Sequence, residues 1–195
     1  MGYTEVIDLD EFMSALSFVR PTLESLTISA IPENDGVEYP PLTIRGSLKE
    51  LAAFHSLKTF NVPFYLLIGP SVNLSKRMEE YLPRGLEFLT INDDLFEQQE
   101  FLWQDFQVFG LFESWLGTFH DSTPHLRGIA LYLAKMDTEW NPPMRDKLRE
   151  LCQRVGIQWL QSCFEHVGWK GEEAKVCDAV LAEGLDLEQV CDDEI

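Results

Sequence analysis

Leu86-Glu87-Phe88-Leu89-Thr90-Ile91 sets apolar side chains at its first, fourth and sixth positions, and three other stretches repeat that spacing. They are Leu23-x-x-Leu26-x-Ile28, Leu57-x-x-Phe60-x-Val62 and Leu126-x-x-Ile129-x-Leu131. Positions four and six are two apart, so they fall on one face of a short strand, and position one anchors the chain as it enters. Amphipathic helices also space apolar residues by three and four, so the kernel needs its surroundings before it can be read as a strand.

Those surroundings are helix signals and breaks. Ahead of Leu23, Asp8 reads as an N-cap with Glu11 as its capping-box partner and Ile7 and Phe12 as a hydrophobic staple. Leu9, Phe12, Met13, Leu16 and Val19 then mark one helical face, which Pro21 stops. Short candidate helices, Ser47 to Phe54 and Ser75 to Leu82, precede the second and third kernels, the latter ended by Pro83 and Gly85. A longer pattern runs from Glu97 to Phe119, with Phe101, Val108, Phe112, Trp115 and Phe119 in one stripe that Leu102, Phe106, Phe109 and Leu116 widen. After the fourth kernel, Asn141-Pro142-Pro143 opens a helix whose apolar face is Met144, Leu148, Leu151, Cys152 and Val155. Gly156 ends it, and a fifth strand starts at Ile157-Gln158-Trp159-Leu160.

Helix, break and strand in steady alternation predict an α/β fold: an irregular leucine-rich-repeat solenoid with short parallel strands on the concave side and helices on the convex side. The kernels start at Leu23, Leu57, Leu86 and Leu126, which are 34, 29 and 40 residues apart, longer and less even than about 20–29. At the ninth position Ile31, Tyr65, Asp94 and Ala134 replace the usual Asn or Cys, and of these only Asp94 has a side chain able to bond turn backbone. The eleventh position is apolar in Leu67, Phe96 and Met136 but is Glu33 in the first unit.

The stretch from Leu82 to Asp94, Thr123-Pro124-His125-Leu126-Arg127, and Met144 through Ile157 resemble the repeat region of filamentous-fungal F-box and leucine-rich-repeat proteins, over roughly residues 20–160. In that family an F-box recruits the Skp1 adaptor of a ubiquitin ligase and the repeats hold the substrate. No L-P-x-E-[IL] opening precedes the repeats here, so the resemblance carries over the binding half, and no Skp1 binding is expected of this chain.

At 195 residues and 45% hydrophobic, the chain has the apolar content for a large core. The repeat-like domain is assigned to residues 1–165 and an acidic tail to 166–195, with one short helix over Glu172 to Leu181. Net charge is −18, and residues 171–195 hold nine acidic side chains against Lys175; both parts repel phosphate backbones, which sets nucleic acid aside as a partner. No apolar run reaches the ~18 residues of a membrane span, and the start lacks a secretion signal, so an intracellular location, cytoplasmic or nuclear, is expected.

Chemical motifs are sparse. Cys163 and His166, with Cys152 and Cys177 on either side, supply zinc-type ligands at spacings unlike the two tight pairs of a structural site, so no metal or other cofactor is expected. Cys163 or Ser122 could be combined with His120, Asp121, His125 or His166 for nucleophilic catalysis, but no local signature supports it, and Asp121-Ser122-Thr123-Pro124 reads as a turn. The functional expectation is therefore a non-enzymatic protein-binding module; the alternative is a small cytosolic α/β hydrolase or transferase with a Cys/His site. On the module reading, positions three, five and seven face the concave surface. They are Ser25, Thr27 and Ser29; Thr59, Asn61 and Pro63; Phe88, Thr90 and Asn92; Gly128, Ala130 and Tyr132. Thr27, Asn61, Phe88, Thr90, Asn92 and Tyr132 are the candidate contacts, with Phe88 and Tyr132 as aromatic hot spots.

Overall fold

A computed structural model describes residues 5–30, 42–69, 77–92, 94–95, 104–132 and 142–161. The chain divides into a compact unit of residues 1–160 and a second of 161–195, and the repeat kernels all belong to the first. Each kernel forms a strand: β2 (Ser25–Thr27), β4 (Thr59–Pro63), β5 (Phe88–Asn92) and β6 (Gly128–Tyr132). With β7 (Gln158–Gln161) they build a five-stranded sheet in the order β2-β4-β5-β6-β7, which is simply chain order. The three junctions from β2 to β6 are parallel, and position three meets position three at each: Ser25 with Thr59, Thr59 with Phe88, Phe88 with Gly128. The uneven 34-, 29- and 40-residue steps are thus absorbed in the connections and leave the register untouched.

A backbone ladder marks the entry to each strand of this sheet after β2. The N–H at position two donates to the carbonyl at position two of the preceding strand: Lys58 to Glu24 at 2.8 Å, Glu87 to Lys58 at 2.7 Å, Arg127 to Glu87 at 2.8 Å and Gln158 to Arg127 at 2.8 Å. The fifth expected strand is therefore present and enters as the others do. Behind the sheet, positions one, four and six of β4, β5 and β6 are buried: Leu57, Phe60 and Val62; Leu86, Leu89 and Ile91; Leu126, Ile129 and Leu131. At about 25 cal/mol per Å² of apolar area these nine side chains are a main source of stabilisation.

The connections differ from expectation in kind more than in place. Asp8 does cap helix α1 (Leu9–Leu16), accepting from the N–H groups of Asp10 and Glu11, but it also ends a strand, β1 (Glu5–Asp8). That strand pairs in parallel with β3 (Leu42–Arg45), giving a second, two-stranded sheet that the repeat pattern does not disclose. Ser47 to Phe54 holds a 3-10 helix at Lys49–Ala53 and not an α-helix, because Leu48, Leu51, Phe54 and Leu57 are buried at every third residue, the period of a 3-10 turn. Met78–Glu80 is likewise a 3-10 turn. Helix α2 (Phe64–Ile68), five buried residues that include Tyr65 and Leu67, follows β4 directly.

The long aromatic pattern becomes α3 (Asp105–Leu116) and α4 (Phe119–Ser122), with its first third, including Phe101 and Leu102, outside the described residues. Val108, Phe112, Trp115, Leu116 and Phe119 are buried, whereas Phe106 is 67% exposed and does not join the stripe. Helix α5 (Pro142–Val155) packs on α3 and buries Met144, Leu148, Leu151 and Cys152, and Gly156 ends it at φ +76°. Among the described residues no helix is long and apolar enough to cross a membrane. Asn141 and the acidic-tail helix over Glu172 to Leu181 lie outside the described residues.

Candidate binding face

Pleating sends positions three, five and seven to the face of the five-stranded sheet opposite the core. On β2 and just past it these are the exposed Ser25, Thr27 and Ser29; on β4, the half-buried Thr59 and Asn61 and the buried Pro63; on β5, the half-buried Phe88 and Asn92 around the buried Thr90; on β6, the buried Gly128 and Ala130. The backbone of Tyr132 lies beside Asn92, and its side chain is outside the described set.

Two structures occupy this face. The first is a polar chain at the C-terminal ends of the strands. The Asn92 amide donates to the Asn61 amide oxygen at 3.1 Å, the Asp94 N–H donates to the Asn92 amide oxygen at 3.2 Å, and the Asp94 carboxylate accepts from the Ser29 hydroxyl and the Ala30 N–H, each at 2.9 Å. Asp94 is the ninth-position residue singled out by its side chain. Its carboxylate reaches the residues just past β2, two units back, so it ties the third unit to the first, while the Asn92–Asn61 bond ties in the second. Leu95 beside it holds a positive φ of 73°, a left-handed turn unusual for a residue with a branched side chain.

The second is aromatic. The Phe88 ring lies over Gly128, so close that a Cβ there would meet the ring at 2.9 Å. Glycine at position three of β6 is thus what seats the ring. The Leu160 side chain approaches the same point, at 3.3 Å, while the half-buried Trp159 packs against the core. Read as a kernel, Ile157-x-x-Leu160 would put Trp159 in the row of Phe88 and Leu160 in the core, and the structure places them the other way round.

Thr90 corrects the expectation. Alternation assigns it to the contact surface, yet it is 2% exposed and cannot meet a partner. Its neighbours on the face are Phe88 and Asn92 along its own strand and Asn61 and Ala130 across the junctions, so the centre of the face is closed by its own side chains. Of the six candidates, then, Thr27 is open, Asn61, Phe88 and Asn92 are partly open, Thr90 is shut, and Tyr132 is placed by its backbone.

Among the described residues, those considered for chemistry are engaged in packing and turn contacts. Cys152 is 1% exposed, and burial pushes its thiol up to about 11 from an ordinary value near 9, which keeps it protonated and poorly nucleophilic at neutral pH. His120 lies against Phe119 with ring centroids 3.9 Å apart, and His125 is exposed. In the turn between them the Ser122 and Thr123 hydroxyls both donate to the Phe119 carbonyl, at 3.5 and 3.3 Å. Among the described residues no three His, Cys, Asp or Glu side chains gather as a metal would require. Cys163, His166, Cys177 and Cys191 lie outside the described residues. No family model, no curated protein and no solved structure matches the chain.

Proposed function

We propose that the chain is a leucine-rich-repeat solenoid that works as a non-enzymatic protein-binding module, with the outward row of its strands as the contact surface. The observation that carries this reading is the register: four kernels pair position on position, so the same slots of each unit recur side by side on one face. Such a face offers hydroxyl and amide groups from Ser25, Thr27, Thr59 and Asn61 at one end and the aromatic area of Phe88 towards the other. Rigid aromatic side chains beside small hydrogen-bonding groups suit a protein surface, since they contribute contact area at little entropic cost. In the fungal F-box and leucine-rich-repeat proteins that the sequence resembles, this is the half that holds the substrate, and we extend that role to this chain without the recruitment of Skp1.

A photo-crosslinking residue placed at position 88 should join the full chain to a discrete partner, while the same residue at Glu113 on α3 should not. Replacing Phe88 and Tyr132 together by alanine should remove capture of that partner and leave the chain folded. Retained capture by the folded double variant would defeat the proposal, as would an enzymatic activity lost on substitution of His120 or Cys163. Direct mixing with Skp1 should give no complex.

A further inference from the structure

The first unit of the sheet is built like the others and buried less. Leu57, Phe60 and Val62, and their counterparts in β5 and β6, are buried, but Leu23, Leu26 and Ile28 at the same three positions are only half-buried. Of the four large hydrophobic residues exposed among the described residues, two, Val19 and the 87% exposed Phe18, lie in the 3-10 turn Ser17–Val19 that leads into β2. Strand β2 is also the end of its sheet; among the described residues no strand lies outside it. An open strand edge beside half-covered core positions is a template for another strand.

Charge specifies what would fit there. The residues at position two run Glu24, Lys58, Glu87, Arg127 along the sheet, alternating in sign. They form cross-strand pairs, Lys58 with Glu24 at 3.4 Å and Arg127 with Glu87 at 3.2 Å. The series begins on the acid, and a strand added outside β2 would continue the alternation by placing a cation next to Glu24. The net charge of −18 favours a cationic segment in the same sense and disfavours a second copy of this chain.

We infer that the outer edge of β2 receives an extended segment of a partner protein, added in parallel, with Lys or Arg opposite Glu24 and apolar side chains two and four residues later that cover Leu26 and Ile28. This surface is distinct from the face proposed above, and the inference needs only the paired strands, so either can fail without the other. Main-chain bonds would supply affinity, and the cation–x–apolar–x–apolar pattern would supply the choice of partner. The chain itself contains that pattern in Lys58-Thr59-Phe60-Asn61-Val62, whose far edge pairs with β5, the strand that begins after the acidic Glu87.

The probe is therefore a capped synthetic peptide of sequence Leu-Lys-Thr-Phe-Asn-Val-Pro, titrated into the isotope-labelled full chain and followed by amide chemical shifts. Shifts centred on residues 23–28 are expected, and a peptide carrying glutamate in place of its lysine should bind roughly fivefold or more weakly, since like charges replace opposite ones across the junction. In a Glu24→Lys chain with an otherwise unchanged spectrum the preference between the two peptides should reverse. If that variant fails to fold, the two peptides compared on the unmodified chain still decide the matter. The inference is overturned by shifts centred elsewhere, by equal response to both peptides, by no response at millimolar peptide, or by sedimentation showing that the edge is taken by a second copy of the chain.

Discussion

Leu26 and Leu89 hold the same fourth position of the same kernel, and the structure predicts that truncating them costs very different amounts. Leu89 is 1% exposed and sits between Phe60 and Ile129, both at 0%, on the flanking strands. Leu89→Ala removes a buried side chain from a site held open by neighbours on both sides, so it loses the transfer energy and leaves a cavity, about 3–4 kcal/mol together. Leu26 has Phe60 on one side and, among the described residues, no strand on the other, and it is only half-buried. Up to about a third of its area stays in water in the folded state and no closed cavity forms, which brings Leu26→Ala to roughly 1–1.5 kcal/mol. Urea unfolding followed by circular dichroism reads the contrast directly. With a slope of about 2 kcal/mol per molar, the midpoint should fall by roughly 1.5–2 M for Leu89→Ala and by roughly 0.5–0.7 M for Leu26→Ala. Equal midpoint losses at equal slopes would mean that the first unit is as well covered as the third, and the case for an open end would collapse.

Two glycines should respond to alanine to different degrees. A Cβ at Gly85 would lie 2.5 Å from the backbone carbonyl oxygen of His55, which cannot move without the chain, so Gly85→Ala should cost more than about 2 kcal/mol; at Gly128 the obstacle is the Phe88 ring, which can swing, so thermal unfolding should show a loss of about 1 kcal/mol. Asp94→Ala removes the acceptor for the Ser29 hydroxyl and the Ala30 N–H and should cost about 1–2 kcal/mol by urea titration, whereas the same change at the exposed Asp121 should cost within about 0.5 kcal/mol. Cys152 should resist a thiol-directed reagent at pH 8 in the folded chain and react on unfolding. Because its pKa is raised to about 11 from near 9, the stability tied to its neutral form is complete below pH 9 and is lost as the pH climbs through 11. A fall in stability at this site on acidification would contradict that assignment.

The strands of the large sheet were legible because their code is positional. An apolar first residue followed at three and five residues by two more survives uneven spacing, and it located four of the five strands of that sheet. The connections were less legible because one apolar period admits two structures. Leu48, Leu51, Phe54 and Leu57 recur at intervals of three, which a reader of α-helices rounds up to 3.6 and the chain uses as a 3-10 turn. The Leu42-Thr43-Ile44-Arg45 strand alternates as a strand should, but its partner Glu5-Val6-Ile7-Asp8 runs straight into a helix cap, and a residue that caps a helix conceals that it also ends a strand. On the candidate face, alternation along β4 and β5 told which residues point away from the core and was silent on their neighbours. Thr90 points the right way and is closed over by Phe88, Asn92, Asn61 and Ala130, a consequence of lateral packing that no single strand records. Asp94 was the opposite case, since its turn-bonding capacity was readable from residue type while its reach to Ser29 was not.

One property of the kernel leaves register underdetermined by hydrophobicity. Positions four and six are equivalent on the core face, so sliding one strand by two residues along its neighbour keeps most apolar side chains inside and satisfies the backbone ladder as well. Connections of unequal length do not forbid such a slide. What it disrupts is position two, where the slide carries Lys58 about 7 Å away from Glu24 and separates Arg127 from Glu87 by as much. These pairs are exposed and worth at most about 1 kcal/mol each, too little to account for stability but enough to bias two registers that are otherwise close in energy. A chain with Lys58→Glu and Arg127→Glu together places like charges along the whole row, Glu24 and Glu87 included, and should show doubled or broadened amide resonances in β4 and β6 with only a small change in urea midpoint. Restoring alternation by adding Glu24→Lys and Glu87→Lys should return a single set of resonances. If the first variant keeps one sharp set, register is held by the anchoring leucines alone and the charges are incidental.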